Sequence, residues 1–444
     1  MKSQKNNRIK MYIKENWCII AVLVVSLFLH VLTTIDLGID YTINSDDASY
    51  IASGITFAQT GKITMHGVIS AQIMPGMTFL IGFISLVFGT GNVFMYVLKI
   101  LWSLMGISTI YVVYKTIRLY SNNKFISTIP CLFFLAIDYV WMDNLILTET
   151  PYILLFSLLI YHTLKLAIKP NKKDYILIVL YYIMAVFIRP NIGIFPIFLF
   201  VYLLLKKYDF NLLMKQCIIA GVVLIALLMP WTYRNYKVFG KFIPLTYGSG
   251  NPLLLGTYQG VGFPLDEELD YVKNVDEKIP KEMKYYLDNP EEKDYMTRFY
   301  LLEYDGMKAK YRMSEWWKMD KESMLKSYLF YKPIDNFYNY FYWDTVLNVK
   351  ADFIKLTRKV DIVMFLISSV VILFDKKRFK EWLFIILVYG SQIALYSYTF
   401  AFGRYAISMF YLRYIVIGIG LDILYERIKL WRCRYESINN CASI

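Results

Sequence analysis

Charge is scarce in this chain. Only 19% of its residues are charged, while 57% are hydrophobic and 18% aromatic. A soluble protein carries roughly 25% charged residues, so a soluble globular domain is excluded. Cysteine is scarce too. Cys18, Cys131 and Cys217 lie in apolar runs, and Cys433 and Cys441 in a basic tail. No disulfide framework is expected from that placement. Three histidines at distant positions, His30, His66 and His162, exclude a histidine-rich metal centre.

What the chain has instead are apolar runs close to the ~20 residues that cross a bilayer. They define an all-α polytopic membrane protein. A basic stretch from Met1 to Asn16 precedes the first run, Trp17 to Ile35. That run is too long for a signal-peptide core and no small-residue cleavage site follows it, so it reads as a retained span.

Lys and Arg collect in cytoplasmic loops. Nearly half of the 48 basic residues fall in six clusters: Lys2 to Lys14, Lys115 to Lys124, Lys165 to Lys173, Lys206 to Lys215, Lys376 to Lys380 and Arg427 to Arg434. Placing every cluster inside gives one self-consistent threading in the plasma membrane, with both termini cytoplasmic. It explains the net charge of +13 and needs no nucleic-acid partner. The expected spans are 17–35, 92–117, 124–142, 150–168, 174–189, 191–206, 212–232, 360–374, 382–400 and 405–424. Met77 to Phe88 is apolar but short, and counting it as a crossing would invert the later charge pattern. It reads as an interfacial or re-entrant helix, with an eleven-span arrangement as the rival.

The expected architecture is thus a bundle of about ten transmembrane helices, an interfacial helix in the first outer loop and one large outer loop. Residues 1–232 form an N-terminal membrane module whose outer loop, 36–91, carries an acidic pair. Residues 233–357 form the outer loop region, and 358–444 the last spans and a basic cytoplasmic tail. In the loop region Glu267 to Lys332 is expected to be helical. Trp316, Trp317 and the run Phe337 to Trp343 read as interface anchors.

This threading gathers polar residues on the outer face. They are Asp46, Asp47 and Tyr50 after the first span, Asp143 and Glu149 after the third, and Arg189 at a hairpin tip. Arg234 and Asn235 follow the seventh span, and Arg404 lies in the last turn. Ionisable groups at span ends line a polar cavity or pair with one another. A carboxylate can deprotonate a hydroxyl, and arginines neutralise a phosphate. Together they suffice for glycosyl transfer from a sugar–phosphate lipid, because phosphate leaves as a stable anion. Structural readings stand beside these: helix capping for Asp46 and Asp47, a helix-dipole contact for Glu149, snorkelling for the arginines and an ordinary loop residue for His66. Asp138 and Asp143 are the candidates for a divalent cation; no other cofactor is indicated.

The stretches Ser45-Asp46-Asp47-Ala48-Ser49-Tyr50, Thr60-Gly61-Lys62 and Met74-Pro75-Gly76 resemble the first outer loop of the GT-C membrane glycosyltransferases. The likeness is to the branch of protein O-mannosyltransferases and the aminoarabinose transferase of lipid A. Leu147-Thr148-Glu149-Thr150-Pro151, Ile188-Arg189-Pro190, Pro230-Trp231-Thr232-Tyr233-Arg234-Asn235 and Gly403-Arg404-Tyr405 continue the resemblance, which covers roughly residues 17–260 and 380–425. It implies Asp46 as catalytic base and Asp47 as a supporting acid. Here the pair is Asp-Asp where the family has Asp-Glu. The lysine that precedes two prolines in that branch is absent before Pro75, so the phosphate contact must come from Lys62, Arg234 or Arg404. Tyr50, Glu149, Arg189 and Asn235 complete the candidate substrate-binding set. The resemblance implies a polyprenyl-phosphate-linked sugar donor and a glycan, lipid or protein acceptor. A flippase of lipid-linked sugars and a polysaccharide polymerase or ligase are the rival readings.

Overall fold

A computed structural model describes residues 2–291 and 294–442 of the chain. The side chains of Lys2, Lys5, Arg8, Lys10, Arg434 and Cys441 lie outside the described residues. Cys18, Cys131, Cys217 and Cys433 are free thiols.

A helix covers every expected span. Among the described residues, five helices are long and apolar enough to cross a membrane: Ile13–Leu37, Asn92–Ile117, Glu149–Ile168, Phe210–Phe239 and Gly403–Cys433. Lys172–Ile188, Phe195–Leu205, Ala351–Leu373 and Phe379–Tyr398 occupy the other expected positions. The expected straight span at 124–142 is broken instead. Its halves, Lys124–Leu135 and Ile137–Asn144, meet at 62°. Pro130 cannot donate a helical hydrogen bond, the stretch Ile129–Leu135 tightens into a 3-10 helix, and Ala136 is extended at φ −61°, ψ 133°. Gly76–Phe88 is a separate short apolar helix.

Contacts sort the bundle into two ends. The basic rims meet at one. There Lys124 pairs with Glu15 at 2.8 Å, Lys206 with Glu381 at 2.6 Å, and Arg378 donates to the Tyr120 carbonyl at 2.9 Å. Asn123, Asn171 and Asp209 cap helices that start from this end, their side chains accepting backbone N–H groups that would otherwise lack partners. At the other end the Asp36 carboxylate accepts from the Leu347 amide at 2.8 Å, and Asp46 meets Arg404 at 2.7 Å.

Inside the bundle lies a closed ion network. Arg358 pairs with Asp138 at 2.6 Å and Asp361 at 3.0 Å, and Arg413 pairs with Asp361 at 3.2 Å. All four residues are buried. Asp138, a cation-ligand candidate from sequence, is therefore held by a guanidinium.

Helix Phe210–Phe239 runs past the expected end of its span and carries Arg234 and Asn235 on its last turns. Beyond it, residues 240–291 and 294–350 form a helical layer over this end of the bundle, built around Tyr295–Met319. Trp316 is an anchor of this layer and not of a membrane interface. It is fully buried, and its indole donates to Ser323 at 2.8 Å.

The layer docks on the membrane bundle through Gly256, where a Cβ would sit 1.5 Å from the Thr399 carbonyl. Lys332 bridges the same joint, donating to the Gly256 and Thr399 carbonyls at 2.9 and 3.3 Å. Gly256→Ala is expected to lower stability by about 3 kcal/mol through overpacking. Its thermal midpoint in detergent should fall, while Gly193→Ala, where a Cβ meets nothing within 4 Å, should leave the midpoint unchanged.

Candidate active site

The acidic pair divides its work by backbone geometry. Asp47 is fully buried and its carboxylate accepts the amides of Ile43, Ser45 and Ala48 at 2.7, 3.1 and 2.9 Å. The chain from Ile43 to Ala48 wraps around that one side chain, with Asn44 in the left-handed region at φ 51°. Helix Asp46–Thr60 starts from this wrap. Asp46 is thereby presented outward at the positive end of the helix, where a carboxylate is favoured.

Glu149 is the hub opposite. It opens helix Glu149–Ile168 and is fully buried. One of its oxygens accepts Arg404 Nε at 2.7 Å and Arg189 Nη1 at 2.9 Å. Arg404 then reaches Asp46 Oδ2 through Nη1 at 2.7 Å. The result is an alternating chain, Asp46–Arg404–Glu149–Arg189, with no net charge. The arginine side chains are only 9% and 12% exposed, a placement that requires such partners. Gly403 lets the Arg404 turn close against the Tyr340 carbonyl, 2.1 Å from where a Cβ would be. The Arg189 guanidinium lies over the rings of Tyr152 and Tyr405 at 5.5 and 5.2 Å, which adds cation–π attraction.

Asp46, Arg404 and Arg189 line a cavity of about 470 Å³, with Glu149 buried behind them. Asp46, Tyr50, Arg189 and Arg404 face it, together with Met74, Asn191, Leu245, Ser249, Tyr396 and Tyr405. Burial and the Asp46 charge push the Tyr50 phenol well above its ordinary range, so Tyr50 stays a hydrogen-bond donor. Among the described residues, no hydrogen bond is made by Nη2 of Arg189 or of Arg404.

The other sequence candidates sit elsewhere. Arg234 donates to the carbonyls of Ser70 and Ile63 at 2.8 and 3.3 Å. Asn235 is buried and donates to the Ile243 carbonyl at 2.9 Å. Arg234 ties the end of their helix to the first polar segment, and Asn235 ties it to the loop that follows the helix. Lys62 is exposed and its side chain does not line the cavity. Asp143 is buried behind the site, held by His30 at 3.2 Å and Thr150 at 2.7 Å.

The sequence reads His66 as an ordinary loop residue, and the structure sets it beside the acidic pair. It sits at the tip of a two-stranded hairpin, Thr64–Met65 with Val68–Ile69, whose base Arg234 holds. Its Nδ1 lies 3.0 Å from Ser49 Oγ and its Nε2 3.7 Å from Asp46 Oδ1. The only available signal was the His66-Gly67 pair, since a two-residue hairpin turn demands positive φ at both positions.

Comparison with known proteins places this geometry. Residues 73–233 match the family described as dolichyl-phosphate-mannose-protein mannosyltransferase. The oligosaccharyltransferase of Archaeoglobus fulgidus in its apo form aligns with a TM-score of 0.53 at 15% identity, over 96% of this chain and 52% of that one. AglB from Archaeoglobus fulgidus, in complex with an inhibitory peptide and a dolichol-phosphate, gives 0.52 at 14% identity with the same coverage. ArnT from Cupriavidus metallidurans bound to undecaprenyl phosphate aligns over 91% of this chain and 77% of that one, at 14% identity and a TM-score of 0.40. The chain spans about half the length of the oligosaccharyltransferase. No curated protein matches it. The fold is that of the GT-C membrane glycosyltransferases, and the resemblance drawn from the motifs is borne out.

Proposed function

We propose that the protein transfers a sugar from a polyprenyl-phosphate donor to a glycan, lipid or protein acceptor at the outer face of the plasma membrane, with inversion. The observation that carries this reading is the chain Asp46–Arg404–Glu149–Arg189 at the rim of one cavity. Asp46 Oδ2 is tied to Arg404, which leaves Oδ1 to receive a proton. An acceptor hydroxyl attacks the anomeric carbon from the face opposite the phosphate and gives its proton to Asp46. The bond from the anomeric carbon to the phosphate oxygen breaks, and the phosphate departs with the electron pair. The guanidinium groups of Arg189 and Arg404, which line the cavity, meet the growing charge, and such preorganised donors act without reorganisation. The family match and the dolichol-phosphate in a related fold support this donor class.

Two measurements test this reading. With a panel of polyprenyl-phosphoryl hexoses and pentoses, the glycosidic product should have the anomeric configuration opposite to that of the donor; retention would refute the single-displacement step. For sidedness, the exposed Lys62 and Asn171 are the useful labelling positions. A Lys62→Cys variant should react with a membrane-impermeant maleimide on intact cells and Asn171→Cys should not. The reverse pattern would put the cavity on the inner face.

A further inference from the structure

We propose that His66 is a positioning residue that relays the proton from Asp46 to water. This inference rests on the reading of Asp46 as base. Its geometry has three parts. The imidazole spans Ser49 and Asp46, with Nδ1 3.0 Å from Ser49 Oγ and Nε2 3.7 Å from Asp46 Oδ1. Once Asp46 carries a proton, the tautomer with Nδ1–H donating to the serine hydroxyl turns the lone pair of Nε2 toward the carboxyl O–H. Second, the residue sits in the left-handed region, φ 52°, followed by Gly67 at φ 82°. That pair of positive φ values is what a two-residue hairpin turn uses, and it sets the ring at the hairpin tip. Third, Arg234 clamps both ends of the hairpin base, through the carbonyls of Ile63 and Ser70, which fixes the approach of the ring.

The need for a relay follows from the site. Asp46 is only 31% exposed and already bound to Arg404. After one transfer it holds the acceptor's proton and must lose it before the next turnover. Nε2 takes that proton, restoring the carboxylate, and the ring releases it to water on its exposed side (the histidine side chain is 36% exposed). The charges facing the ring are Asp46 on its helix and Arg298 on the overlying Tyr295–Met319 helix. Burial lowers the imidazole's affinity for protons, Asp46 opposes that, and Arg298 reinforces it. The ring is therefore neutral near pH 7 and free to accept. Below its titration point the imidazolium pairs with Asp46 and occupies the oxygen that the acceptor needs. Activity should fall along that acid limb.

His66→Asn tests the relay and keeps the turn, because asparagine tolerates positive φ. The expected result is a rate near pH 7 lower by roughly tenfold, less than the ~10²–10⁴ of a direct proton-transfer group, with the histidine-controlled acid limb gone. A variant profile that superimposes on the wild type would overturn the relay alone. No transfer by the wild type from any lipid-phosphate donor would overturn the reaction, and the relay with it. A second readout needs no donor. The chain holds three histidines, so ¹³C-histidine resonances can be assigned by single substitution. The His66 titration midpoint should drop in Asp46→Asn, since the carboxylate that favours the imidazolium is gone. An unmoved midpoint would show that the two side chains are not coupled.

Discussion

Asp46→Asn is expected to lower sugar transfer by about 10²–10⁴-fold, the span that a positioned general base supplies, while the protein stays folded. Asparagine keeps the shape of the side chain, and its amide oxygen can still accept from Arg404. What it loses is the ability to take the acceptor's proton. The wrap that holds the helix start belongs to Asp47, whose three backbone contacts the substitution leaves intact. Thermal stability should therefore change little, and donor affinity should persist, because Arg189 and Arg404 stay in place at the cavity. The informative split is in the kinetics. A loss confined to kcat assigns Asp46 to the transition state, and a loss confined to KM would assign it to substrate binding. Asp47→Asn should behave differently, loosening the Ile43–Ala48 segment and lowering stability along with activity.

Glu149→Gln is expected to cost about 3–5 kcal/mol of stability, the scale of breaking a buried ion pair by removing one partner. Glu149 is fully buried and its carboxylate is shared by two nearly buried guanidinium groups. Asp46 reaches only one of them, so Arg189 would be left without a counter-charge. Arg189→Gln on the Glu149→Gln background should recover part of the loss, because the uncompensated cation is then gone. Thermal midpoints of the wild type, both single variants and the double variant form the cycle. Additive losses would mean that the two side chains do not depend on each other. A conserved charge pattern with altered chemistry, Glu149→Asp, should retain stability better than Glu149→Gln.

Much of this was legible in the sequence. Apolar run lengths anticipated the spans, and the basic rims do meet at one end of the bundle. Asp46, Glu149, Arg189 and Arg404 each stand at the end of a run, so a single assignment of sides placed them on one face before any distance was known. What the sequence could not supply is which of them touch. Arg404 meets Asp46 across most of the chain, and nothing local to either residue encodes that pairing. Arg234 had the same signature as Arg404, an arginine just past an apolar run. Its different use follows from the hairpin carbonyls it happens to reach. His66 reads as an ordinary loop residue because two-residue strands are too short for alternation to reveal them. The buried Asp138–Arg358–Asp361–Arg413 network was hidden for another reason. Its members come from three separate helices and neutralise one another only once packed. The bend at Ala136 had a visible cause in Pro130, but hydropathy averages over such breaks.

The most direct test of sugar transfer at this cavity uses the purified protein in liposomes with a doubly labelled polyprenyl-phosphoryl sugar and a membrane extract as the source of acceptor. The wild type should release free polyprenyl phosphate in step with the appearance of labelled sugar on the acceptor, and Asp46→Asn should do neither. Donor that crosses between leaflets with its glycosidic bond intact, or equal donor cleavage by the Asp46→Asn variant, would contradict it.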